Sequence, residues 1–172
     1  MQNLVIQNIV RAIALLLLQI LVLNNIYLGS SINPFLFILI IMMLPTSTPK
    51  IAMLFISFAC GLIIDIFSNV PGLHAFSCTL LGFCRITFLD KILIGDGSSD
   101  IDTPSCRSAA KDQWFAFMAC GCLIYNFAYF LLEMFSFHDL WRIILSTVAS
   151  SVVVILLSIL LQTLFIRSKT NS

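Results

Sequence analysis

From Leu140 to Ile166 the chain carries a single charged residue, Arg142. As a helix rising 1.5 Å per residue, that run would be about 40 Å long, more than the ~30 Å hydrocarbon core of a bilayer. Nothing else in the sequence constrains the fold as strongly. Hydrocarbon offers backbone N–H and C=O groups no water to bond, so a spanning segment is either a helix or a strand of a closed barrel. The run is continuously apolar rather than alternating, which selects the helix.

Composition extends this reading to the whole chain. Of its 172 residues 60% are hydrophobic and 10% charged, against about 25% charged in soluble domains. Further apolar runs cover Arg11–Leu28, Ile51–Phe67, Leu73–Ile94 and Trp114–Phe135. A shorter one, Pro34–Leu44, would cover only ~16 Å as a helix. It could extend back through Ser30–Asn33 or sit beside a thinned bilayer. Gly95–Asp112, GDGSSDIDTPSCRSAAKD, is the one extended hydrophilic loop. The expectation is a single integral membrane domain over 1–172, all-α and polytopic, a compact bundle of six transmembrane helices or five. Leu23-Asn24-Asn25-Ile26 lacks a small-x-small cleavage site, so the first helix is expected to stay as an anchor. A net charge of +1 gives no reason to expect nucleic acid as a partner.

Charge placement separates the topologies. With six spans and the N-terminus inside, Arg11, Lys50, Lys91, Arg107, Lys111, Arg167 and Lys169 are cytoplasmic and only Arg142 is external. This agrees with the positive-inside rule. If Pro34–Leu44 is re-entrant and the N-terminus stays inside, six of those seven fall outside. Five spans with the N-terminus outside misplace Arg11 alone. Tyr27, Trp114 and Trp141 fall at helix ends, where aromatic rings favour the headgroup region.

Few polar residues lie in the apolar runs, and they are the candidates for chemistry. Asp65 stands two residues from the end of its run. Its carboxylate is expected either to bond the N–H groups of the Ser68-Asn69 turn, shaping a hairpin, or to serve as a proton relay or ligand. Gly61, four residues earlier, shares its helix face and permits close helix approach. Pro71-Gly72 supplies a tight turn with a positive φ expected at Gly72. His74 and His138 fall at the external boundary, with Glu133 and Asp139 near the latter, and read as interfacial and unligated. Arg85 is six residues before Lys91 and is expected to snorkel or bond helix-end carbonyls, with a partner contact as the other reading. Gln19 would hydrogen-bond across helices.

Signatures of known chemistry are missing from the sequence. It has no phosphate-binding loop, no His-Glu-x-x-His, no Gly-x-Ser-x-Gly and no pair of intramembrane acids. Five of the six cysteines lie in apolar runs and read as small hydrophobes, and Cys106 lies in the polar loop. Cys120 and Cys122, at i and i+2, do not share a helix face, so no metal site is expected. No catalytic residue, cofactor or metal is assigned.

The stretch Gly61-Leu62-Ile63-Ile64-Asp65-Ile66-Phe67-Ser68, followed by Gly72-Leu73-His74-Ala75, resembles the motif of the bacterial rod-shape-determining MreD family. Leu18–Asn25 in the first span agrees with that family. So does Asn33-Pro34 leading a run that ends at Leu44-Pro45, with Thr48-Pro49-Lys50 after it. The resemblance covers roughly residues 1–95 and rests beyond them on length and helix pattern. It implies a non-enzymatic scaffold of the cell-wall elongation complex in the bacterial cytoplasmic membrane. Such a scaffold pairs with MreC and is linked to the MreB cytoskeleton, the RodA glycosyltransferase and its transpeptidase. It also implies a six-helix bundle like the substrate-binding subunits of energy-coupling-factor transporters. Gly61, Asp65, Phe67, Ser68, Gly72 and His74 then form a hairpin and MreC-facing surface. On that view Asp65→Ala and Gly61→Leu weaken co-purification with MreC. The alternative is a substrate-binding membrane subunit of a vitamin-type transporter. Against it, Ala12 and Ala14 are two residues apart rather than four, so the docking seam of such subunits is missing from the first helix.

Overall fold

A computed structural model describes residues 2–23, 33–89, 91, 111–134 and 140–167. Every element among them is helical: α1 (Gln2–Leu21), α2 (Ile38–Met42), α3 (Lys50–Ser68), α4 (Leu73–Cys84), a π-helical turn (Arg85–Leu89), α5 (Lys111–Met134) and α6 (Leu140–Arg167). Three stretches are long and apolar enough to cross a membrane: Lys50–Ser68, Asp112–Met134 and Leu140–Leu161. Two shorter apolar helices, Ile9–Leu21 and Leu73–Thr87, accompany them.

The boundaries differ from expectation at three places. Pro34–Leu44 does not form a full-length helix. Only Ile38–Met42 is α-helical, and the segment from Phe35 to Met43 is buried inside the bundle. Prolines at both ends are the cause: Pro34 and Pro45 lack N–H donors, and each restricts the residue before it. Turn-type bonds extend the helix a little, from Leu39 N–H to Leu36 O at 3.0 Å and from Ile40 N–H to Phe37 O at 2.9 Å. Lys111 and Asp112, assigned to the hydrophilic loop, belong to α5, and the rest of that loop lies outside the described residues. Trp114, in the first turn of α5, does not face outward. It is fully buried, because it shares the inward face of α5 with Phe117, Met118 and Tyr125.

α2 sits at the centre and touches α1, α3, α4 and α5. Its Met42 side chain fills the space left by the missing Cβ of Gly121 on α5. α3 packs along α4, α4 along α5, and α5 along α6. The outer faces are apolar, with Ile51, Phe55, Ile66 and Phe67 exposed on α3 and Trp141, Leu145, Val152 and Leu156 on α6. Apolar residues outside and polar ones inside are what a helix bundle in lipid requires.

Candidate functional site: polar side chains that hold helix ends

The α3–α4 hairpin is built around one carboxylate. α3 closes with Asn69 in the left-handed region at φ 53°, one of the few residue types that tolerate it. The Asn69 N–H bonds the main-chain oxygen of Asp65, and the Val70 N–H bonds the same oxygen at 3.1 Å. The turn is therefore satisfied by Asp65's carbonyl, not by its carboxylate as expected. Gly72, at φ 79°, occupies the N-cap of α4 and has no side chain to offer. The Asp65 carboxylate caps α4 in its place: His74 N–H donates to Oδ1 at 2.9 Å and Ala75 N–H to Oδ2 at 2.8 Å. A carboxylate at a helix N-terminus meets both unpaired donors and the positive end of the helix dipole. Gly61 makes this reach feasible, since a Cβ there would come within 2.5 Å of the His74 carbonyl oxygen.

His74 lies inside the bundle, 2% exposed, rather than on its surface. Its backbone N–H is held by Asp65, and its Nδ1 shares a 2.5 Å hydrogen bond with the Tyr125 hydroxyl. The imidazole stacks on Tyr129 at 4.7 Å between centroids. It meets the edges of Phe35 at 5.1 Å and Phe37 at 5.7 Å. Tyr129 donates in turn to the exposed Glu133 at 3.3 Å. His138 and Asp139 lie outside the described residues.

Two other buried polar residues, Gln19 and Arg85, bracket the short helix. Gln19 Oε1 accepts the Leu36 N–H at 2.9 Å, just before α2. Arg85, fully buried at the start of the π-helical turn, donates through Nη1 to the Ile41 oxygen and through Nη2 to the Leu44 oxygen at 2.5 Å. Its guanidinium also lies 5.8 Å from the Phe117 ring centre. Of the two readings of Arg85, the geometry is that of bonds to helix-end carbonyls. A five-residue helix leaves most of its donors and acceptors unpaired, so side chains from α1 and from the π-helical turn after α4 supply partners at its two ends.

The expected hairpin residues thus divide. Gly61, Asp65 and His74 are interior, while Phe67 and Gly72 are exposed and Ser68 ends α3 half-buried. A second polar system went unread in the sequence: Asn126 on α5, and Ser146, Thr147, Ser150, Ser151 and Ser158 on α6, are all buried. Asn126 Nδ2 donates to the Cys122 oxygen at 2.9 Å and to Ser151 Oγ at 3.0 Å. Ser150 Oγ accepts the Asn33 N–H at 3.1 Å. The signal was present, because Ser146/Ser150 and Thr147/Ser151 recur at i, i+4. Among the described residues no group of three His, Cys, Asp or Glu side chains gathers as a metal site would require. Comparison with protein-family models, with curated proteins and with solved structures finds no match.

Proposed function

We propose that the chain is a non-enzymatic membrane scaffold of the MreD kind, which binds an MreC-like protein and helps to organise lateral cell-wall synthesis and maintain cell shape. The reading rests on the resemblance of Gly61–Ala75 to that family. The observation that carries it is the use made of Asp65. Both carboxylate oxygens are engaged by backbone N–H groups of α4, which supports a structural, helix-capping role for Asp65 over a relay. The partner-facing surface is placed at the exposed end of α3, at Ile66 and Phe67, beside the turn that Asp65 fixes. The MreB cytoskeleton, RodA glycosyltransferase and transpeptidase are reached through that complex.

The scaffold is placed in the bacterial cytoplasmic membrane with both termini inside and six passages, residues 33–44 forming the second. The register of that segment supports the topology. Phe35 and Phe37 lie beside His74 at the start of α4, and the Ile41 and Leu44 carbonyls lie beside Arg85. The segment therefore descends alongside α4 over about 16 Å rather than doubling back.

Co-purification tests the reading. Detergent-solubilised wild type should retain an MreC-like partner, and Phe67→Ala should lose most of it while inserting normally. Capture of an ATPase module instead, or depleted cells that keep their shape, would overturn the scaffold in favour of the transporter subunit or another role.

A further inference from the structure

The interior face of α6 carries hydroxyls whose bonding is incomplete. Ser146 Oγ and Thr147 Oγ1, together with Asn126 Oδ1 across the seam on α5, are buried atoms with no hydrogen-bond partner among the described residues. Their residues are 1%, 4% and 0% exposed. Asn126 and Thr147 lie within one helical turn of each other along the seam, and Ser146 adjoins Thr147 in the chain. Asn126 is level with Ser151, to which it bonds at 3.0 Å. Ser151 Oγ bonds the Thr147 carbonyl at 2.7 Å, so Thr147 stands one helical turn from Asn126. Neighbouring hydroxyls on the same helix do not share this condition: Ser158 Oγ donates to the Ile155 oxygen at 2.7 Å, and Ser150 Oγ accepts from Asn33.

We propose that this part of the α5–α6 seam is a buried water-binding site, in which bound water bridges Asn126 Oδ1, Ser146 Oγ and Thr147 Oγ1. The chemistry selects water. Asn126 Nδ2 already donates twice, so Oδ1 offers an acceptor alone, and each hydroxyl both donates and accepts. A buried water makes about three hydrogen bonds to groups otherwise unsatisfied. A cation is disfavoured, because the three oxygens are neutral. Asp65 is committed at α4, and Glu133 is exposed, so neither carboxylate compensates a charge in the seam. An apolar ligand would leave all three atoms unpaired. Trp114 Nε1, also unpartnered, lies three helical turns away on α5 and is not part of the site.

Hydroxyl-radical footprinting of the full chain in nanodiscs, read by mass spectrometry, tests the site. Bound water delivers radicals to side chains that bulk solvent does not reach. Oxidation is expected at Ile143 and Phe130, which are buried on either side of the seam, and Thr147→Val should reduce it several-fold. The same variant reports through its thermal midpoint. If water bridges the three groups, removing one hydroxyl strands the others and lowers the midpoint by several degrees. If the seam is dry, removing an unpaired hydroxyl leaves the midpoint unchanged or raises it. Absence of oxidation at Ile143 and Phe130 in wild type overturns the proposal, as does a midpoint that rises in both Thr147→Val and Ser146→Ala.

Discussion

Gly61 and Ala75 meet backbone to backbone: a Cβ on Gly61 would stand 2.6 Å from the Ala75 Cα. One turn further along α3 the Asp65 carboxylate reaches the N–H of that same alanine. Close approach and capping are one arrangement. Gly61→Ala should separate the helices and stretch both carboxylate bonds. Overpacking of this kind costs about 1–3 kcal/mol, read as a lowered unfolding midpoint in detergent. A midpoint equal to wild type would show that the seam yields.

Asp65→Asn is nearly isosteric but presents an NH2 where one of two N–H groups needs an acceptor. It should lose about as much stability as Asp65→Ala, on the order of 2 kcal/mol for a helix cap with a buried donor left unpaired. Unfolding of both variants by SDS titration checks this. An asparagine variant as stable as wild type would mean that a single acceptor suffices.

Arg85 holds two carbonyls three residues apart, which a planar guanidinium can do and a compact ammonium cannot. Arg85→Lys should be destabilised by about 1–2 kcal/mol, and Arg85→Leu by more, since it leaves buried carbonyls open. Residues 33–44 should loosen in step. A cysteine at the buried Ile40 position should react with a thiol reagent faster in the Arg85→Leu background than in wild type. Equal rates would count against Arg85 as the clasp.

Met42 and Gly121 fit as knob and hole. Met42→Ala should cost about 2–5 kcal/mol by opening a cavity. Gly121→Ala should cost less than about 1.5 kcal/mol, because it displaces only the flexible end of a methionine. Combined, the alanine methyl occupies part of the space that Met42 leaves. The double variant should then be more stable than the sum of the singles predicts, with a coupling of at least about 0.5 kcal/mol.

The long apolar runs made α3, α5 and α6 legible, because length and unbroken hydrophobicity suffice for a helix in lipid. Gly61 and Asp65 were legible as a seam with a polar anchor, since the i, i+4 relation needs only helix geometry. What Asp65 bonds was not, because the donors sit nine and ten residues on, beyond a turn whose direction the sequence does not state. The burial of His74 was not legible for a related reason: proximity to a turn suggests a surface ring, and only packing against Phe35, Tyr125 and Tyr129 puts it indoors. The serine–threonine face of α6 repeats at helical spacing, yet its partner Asn126 lies on another helix, and pairing across helices is a tertiary fact.

The clasp on α2 also bears on how the chain is made. Residues 33–44 leave the ribosome well before Arg85 does, and they are too short and too proline-bounded to be held by hydrocarbon alone. Until α4 arrives, the Ile41 and Leu44 carbonyls have no cation to meet. Packing of this segment is therefore not completed in chain order. The segment 33–44 must wait, unsettled, for a side chain encoded some forty residues downstream, and chains cut short before α4 should leave that segment accessible from water.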